Sequence, residues 1–223
     1  MNIPIVTLDK IYIKPDEKNI YFLDCTRVNG SNEIISRKEE NLDDQIIRIV
    51  SNLEKKEIIL ADDVVFSGSV LKEIIRRFKT LGVKTVGIIA SITTEKSYTY
   101  FNNNLKYGVK TNYLMKEKVI DQICERDFYF GIAGSGIMIK TSNGYYKSPY
   151  FKPYGNPYER ASIPLKYEKD FSISCLYRSI FLWEEIDKLR ETGTLISELP
   201  ERIINTDKND EVEKTLKKEI RRL

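Results

Sequence analysis

The chain has 223 residues, with 36 basic against 33 acidic side chains, a net charge of +3 and 41% hydrophobic content. That supports a packed core for one ordinary domain with an appended segment, and the near-balance of charge demands no nucleic-acid partner. Histidine is absent, which excludes Ser–His and Cys–His nucleophiles, histidine bases and histidine-held metals; chemistry must rest on carboxylates, Arg, Lys, hydroxyls, amides or a hard cation bound by oxygen. Cys25, Cys124 and Cys175 are odd in number and far apart, neither a disulfide framework nor a zinc cluster. The opening residues lack a charged-then-apolar leader and no apolar run could span a bilayer, so the expectation is a cytoplasmic protein with no membrane partner.

In chain order, "VTLDKIYIKPDEKNIYFLDCT" reads as two strands around a "PDEKN" turn, the second ending at Cys25-Thr26, followed by the polar loop "RVNGSNEIISRKEEN". Leu42, Ile46, Ile49, Val50 and Leu53 have helical spacing, with Asn41 placed to cap. Ile58 to Ala61 is an apolar run of the kind buried on both faces of a parallel sheet. Asp62 and Asp63 stand at its carboxyl end, Ser67-Gly68-Ser69 makes a turn, and Val70, Leu71, Ile74, Ile75, Phe78 and Leu81 are spaced as a helix until Gly82. "VKTVGIIASI" is a further strand, "EKSYTYFNNNLKYG" a helix closed by Gly108, "VKTNYLM" a strand, Lys118 to Cys124 a short helix and "DFYFGI" a last strand. Strands alternating with helices imply an α/β fold: an open, mainly parallel sheet flanked by helices.

After Gly136 the pattern changes. Asn143-Gly144 signals a hairpin in a tyrosine-rich stretch that is expected to pack over the core. A long helix follows, with Ile173, Leu176, Tyr177, Ile180, Trp183, Ile186 and Leu189 near one side. Val212, Leu216, Ile220 and Leu223 form a stripe expected to pack on its own domain or a sister subunit. The expected division is a core over 1–140 and a hairpin and helical extension, packed on that core, over 141–223. The glycine-rich run 131–136 has no helical pattern after it, which argues against a dinucleotide fingerprint. Lys152 and Arg160 are cationic but carry only a weak phosphate signal.

The chemistry concentrates at 62–69. A helix start offers unpaired amides and the positive end of its dipole, Gly68 allows close approach, and the hydroxyls of Ser67 and Ser69 can donate to phosphate oxygens. Two carboxylates beside a phosphate are poor neighbours unless a ribose separates them, its hydroxyls donating to the carboxylates while its phosphate reaches the turn. The stretch has the makings of a ribose-phosphate site.

"IILADDVVFSGSVL" resembles the phosphoribosyl-pyrophosphate (PRPP) motif of type I phosphoribosyltransferases, and the similarity extends over about Ile20 to Ile139. The resemblance implies that Asp62 and Asp63 take the ribose hydroxyls and that Val64, Val65, Phe66, Ser67, Gly68 and Ser69 wrap the 5′-phosphate. It implies Mg²⁺ on the pyrophosphate, with no direct protein ligand. "LDCTRVNG" is similar to the family's pyrophosphate loop, which makes Arg27 the residue for the leaving group. "ERDFYFGIAGSG" is similar to its last core strand, which puts Asp127 and Phe128 near the acceptor. The departures are Val70 where the family has a hydroxyl, Phe66 where some members have an acid, and a short interval between Arg27 and Ile58 for a mobile loop, with "NEIISRKEEN" its candidate.

Two functions follow from the resemblance. One is an enzyme that transfers ribose phosphate from PRPP to a nitrogen acceptor. The other is a non-catalytic PRPP or nucleotide sensor, in a stress or defence system, whose C-terminal extension docks a partner or a second copy.

Overall fold

The computed structural model describes residues 3–8, 19–31, 33–37, 40–116, 125–161 and 163–223, with the side chain of residue 160 set aside. The chain divides into two compact units, one comprising Met1–Arg27 and Ser31–Val119, the other Val28–Gly30 and Ile120–Leu223. The expected 140/141 boundary falls inside the second.

The first unit is built on strands β1 (Ile5–Thr7), β2 (Ile20–Phe22), β5 (Glu57–Val65), β6 (Lys84–Thr94) and β7 (Val109–Met115), in the order β2-β1-β5-β6-β7. Every pairing in this sheet is parallel, with Thr7 between Phe22 and Ala61, and Asp62 opposite Ala90. A short antiparallel pair, β3 (Thr26–Arg27) and β4 (Ile34–Ile35), stands apart from it. The crossovers carry helices α1 (Leu42–Ser51), α2 (Ser69–Thr80) and α3 (Glu95–Asn104). Their apolar faces, including Ile46, Ile49, Ile74, Phe78 and Phe101, close on Val6, Ile58, Leu60 and Ile88 in one core cluster. This is the parallel α/β fold read from the alternation, and burial of that cluster drives it. Asn41 caps α1 as read, its side chain accepting the Asp44 N–H at 2.9 Å.

Four expectations about the first unit change. The first two strands are not a hairpin: they lie parallel, and "PDEKN" falls in 9–18, outside the described residues. The second strand stops at Phe22, because the Asp24 N–H is taken by the Gln45 side chain at 2.9 Å. β5 continues through both carboxylates to Val65, held by register with Ile92 and Thr93. The polar loop after Arg27 contains β4, paired back on β3.

The second unit contains the hairpin β8 (Ile137–Thr141) and β9 (Gly144–Ser148); its turn is Ser142-Asn143, one residue before the expected Asn143-Gly144, because Gly144 already pairs with Thr141. Beyond it come α4 (Pro157–Ala161), the long α5 (Glu168–Arg190) and α6 (Val212–Arg222). The α6 stripe packs within this unit: Val212 and Leu216 are fully buried with Phe130, Phe151, Leu176 and Trp183. The buried side of α5 is Ser172, Cys175, Leu176, Ser179, Ile180 and Trp183, while Tyr177 and Leu189 are exposed. That rotation follows from the serines. Ser172 and Ser179 accept the amides of Lys152 and Phe130 at 3.0 Å each, so polar residues belong to the packed stripe. "DFYFGI" is not a strand: Glu125–Phe128 is a 3-10 turn, and Gly131, Gly134 and Gly136 all have positive φ, which breaks extended pairing. The short helix expected at Lys118 to Cys124 falls on 117–124, outside the described residues. No described helix is long and apolar enough to cross a membrane.

Candidate functional site

Parallel order places the carboxyl ends of β2, β1, β5 and β6 along one edge of the first unit's sheet, the edge where open α/β sheets bind ligands. Asp62 and Asp63 reach this edge half-buried. Consecutive strand residues alternate between faces, yet both carboxylates lean toward the carboxyl end: Asp62 Oδ1 accepts the Asp63 N–H at 3.1 Å and Asp63 Oδ1 the Val64 N–H at 2.7 Å. Val64 and Val65 belong to the strand, and Val65 is buried, so the loop itself is only Phe66-Ser67-Gly68.

That loop is pinned from beneath. The Phe66 carbonyl accepts from Thr94 Oγ1 at 2.6 Å and from Ser97 Oγ, at the junction of β6 and α3. Gly68 is left-handed at φ +68°, and a Cβ there would stand 2.6 Å from Phe101 Cε2. Backbone conformation and packing both demand glycine. Ser67 Oγ donates to Ser69 Oγ at 3.1 Å and accepts the Ser69 N–H at 3.3 Å, beside the exposed turn. α2 then begins with no side-chain cap, so its first amides present the dipole's positive end toward the same edge.

Arg27 sits on β3 with an exposed side chain. The segment before it is tied down by Asp24, which is 3% exposed. Its carboxylate accepts from Arg37 Nε at 3.0 Å, the Arg37 N–H at 2.7 Å and Ser36 Oγ at 3.1 Å. Arg37 Nη2 donates to the Cys25 carbonyl at 2.9 Å. Burial pushes the Cys25 thiol up to about 12; Arg37 opposes the rise, while Asp62 and Asp24 add to it. Cys25 is therefore an inert buried thiol, and the segment leading to Arg27 lies within electrostatic reach of Asp62. β5 thus carries the two aspartates with the Ser-Gly turn directly after it, and the segment leading to Arg27 follows β2 at the same sheet edge, with β1 between the two strands.

Sequence reasoning missed Asp24, Arg37 and Gln45, and the Thr94, Ser97 and Phe101 support beneath the turn. The signal present was an aspartate near the end of the second strand and a Ser97/Phe101 pair one helical turn apart.

Asp127 and Phe128 belong to the second unit. Asp127 is buried and accepts the Gly136 N–H at 3.1 Å, and Phe128 packs edge-on to Phe171 with ring centres 5.3 Å apart. Lys152 pairs with the buried Glu168 at 2.7 Å, a structural use of that cation. Tyr154 packs on Phe130 and Phe151, the expected role of an aromatic-rich stretch. Among the described residues no group of three or more His, Cys, Asp or Glu could hold a metal ion.

Residues 20–124 match the family model of the phosphoribosyl transferase domain, a span that includes Arg27 and all of 62–69 and stops short of Asp127. No curated protein and no solved structure matches the chain.

Proposed function

Since the chain belongs, through residues 20–124, to the type I phosphoribosyltransferase family, we propose that it binds PRPP at the 62–69 edge and transfers its ribose phosphate to a nitrogen acceptor. One observation carries the reading: two carboxylates lean to the end of a central strand, and a left-handed glycine, which supplies no side-chain cap, then opens a helix at the same edge. Asp62 and Asp63 accept from the ribose hydroxyls. The amides from Gly68 onward and the hydroxyls of Ser67 and Ser69 take the 5′-phosphate, in the manner of anions at helix starts.

In the reaction the bond from the anomeric carbon to pyrophosphate oxygen breaks, the bond to the acceptor nitrogen forms, and that nitrogen loses its proton. Positive charge grows on the ribose, and the aspartates ease it electrostatically. Negative charge grows on the departing pyrophosphate, where Arg27 meets it. A nitrogen that is already nucleophilic needs no strong base, consistent with a chain without histidine. Mg²⁺ would arrive on the pyrophosphate and would supply charge neutralisation of the leaving group.

The test is incubation of the full chain with PRPP, Mg²⁺ and a panel of nucleobases and amines, read by pyrophosphate release. Release that depends on one acceptor supports the transferase. Tight PRPP binding with no release across the panel would favour the sensor. A specific feature motivates that second reading: the β3–β4 pair is two residues per strand, short for a loop that closes over a reacting substrate, and Val70 and Phe66 replace family side chains. Under either reading the protein is proposed to work in the cytoplasm, with the extension docking a partner or a second copy.

A further inference from the structure

We propose that Arg37 is a second anion-binding cation at the Arg27 end of this site, aimed by the buried carboxylate of Asp24. The inference rests on the PRPP reading above and deepens it. One edge of the Arg37 guanidinium is fixed, with Nε on Asp24 Oδ1 at 3.0 Å and Nη2 on the Cys25 carbonyl at 2.9 Å. Among the described residues none accepts from Nη1, and the side chain is 36% exposed while that of Asp24 is 4% exposed.

Asp24 is held in turn. Gln45 accepts its N–H, and the same Gln45 donates to Ser36 Oγ at 2.9 Å and the Glu40 carbonyl at 3.2 Å. A buried carboxylate that orients an arginine with an outward edge is a costly arrangement for stability alone, because desolvation offsets most of the attraction. As a preorganised fork for an anion it is apt, since the guanidinium is planar, always charged and already fixed in direction. Location agrees: Phe22, Thr7 and Ala61 are in register, so Asp24 and Cys25, which hold Arg37, follow β2 at the level where Asp62 follows Ala61 on β5. At that end of PRPP the anion is the pyrophosphate, whereas the 5′-phosphate belongs at Gly68.

The test is calorimetry with PRPP and, separately, ribose 5-phosphate on the full chain. The variant is Asp24→Asn with Arg37→Gln, which removes both charges and leaves hydrogen-bonding groups in place. The expected result is a loss of PRPP affinity of about 10-fold or more, the scale of one hydrogen bond to a charged group, with ribose 5-phosphate affinity within about 2-fold of wild type. PRPP binding as tight as wild type overturns the inference, and so does an equal loss for both ligands, which would mark the network as support for the whole edge. Should the double variant not fold, Arg37→Lys keeps the charge and loses the fork; a PRPP-specific loss is again expected, and unchanged affinity overturns it. A wild-type protein that binds neither ligand overturns the PRPP reading itself, and this inference with it.

Discussion

In the first unit Thr94, Ser97 and Gln45 tie down backbone around a set of strand ends, whereas in the second Ser172 and Ser179 tie down segments crossing a helix. The bonds are alike in kind and differ in what they leave outside. Around β5 the pinned backbone still presents an exposed Ser67, half-buried Asp62 and Asp63 and an exposed Arg27. Around α5 the polar groups are turned inward: Trp183 Nε1 donates to the Phe130 carbonyl at 2.8 Å, and Ser172 and Ser179 also donate to carbonyls one turn back. Polar order at the sheet edge leaves groups accessible, whereas polar order under the helix is enclosed.

The difference can be broken from either side. Trp183→Ala should have the largest effect, lowering unfolding free energy in urea by about 3–5 kcal/mol through the lost buried ring. Folded Trp183→Ala protein should bind ribose 5-phosphate as wild type does; weakened binding would show that the second unit's interior supports the first unit's edge. Asp62→Asn and Asp63→Asn should do the reverse. Each is expected to reduce turnover by about 10²–10³, with a midpoint in urea close to wild type and PRPP affinity changed less than rate.

Gly68→Ala sharpens the comparison, because it lies where order and accessibility meet. A residue at φ +68° with a Cβ 2.6 Å from Phe101 should cost about 1–3 kcal/mol. Adding Phe101→Leu should recover part of that loss, the coupling expected of touching side chains. Strictly additive losses would assign the cost to backbone strain alone.

The smallest effect tests a purely structural charge. Hydrogen bonding to Arg76, supported by Arg77, holds the Glu73 carboxyl well below its ordinary value, at about 2. A depressed folded value means that Glu73 contributes above an unfolded value near 4.5 and that the contribution fades as pH falls toward 2. Glu73→Gln should therefore destabilise by about 0.3–1 kcal/mol at pH 7, with the gap closing in urea melts near pH 2 and turnover unaffected.

What was legible in the sequence follows the same divide. Period and punctuation gave α1 with its Asn41 cap, α2 to within one residue of its start, β7 and the hairpin near Asn143-Gly144, since each is dictated by local spacing. The Asp62-Asp63 and Ser67-Gly68-Ser69 pattern was legible because a strand end, a turn and a helix start are contiguous in the chain. Asp24, Arg37 and Gln45 were not, because their meaning depends on contacts 12 to 21 residues apart. The face of α5 was misread for a related reason: its serines pack inward only because amides of Lys152 and Phe130 meet them there. Neither amide is marked by any residue type.

The central claim is that the turn after β5 takes the phosphate of a ribose phosphate. Titration of ¹⁵N-labelled full chain with ribose 5-phosphate tests it most directly, by following backbone amide resonances. The account predicts saturable shifts that are largest at Ser67, Gly68, Ser69 and Val70, with smaller ones at Asp62 and Asp63. Saturable shifts centred on other amides, with this turn unmoved, would contradict it.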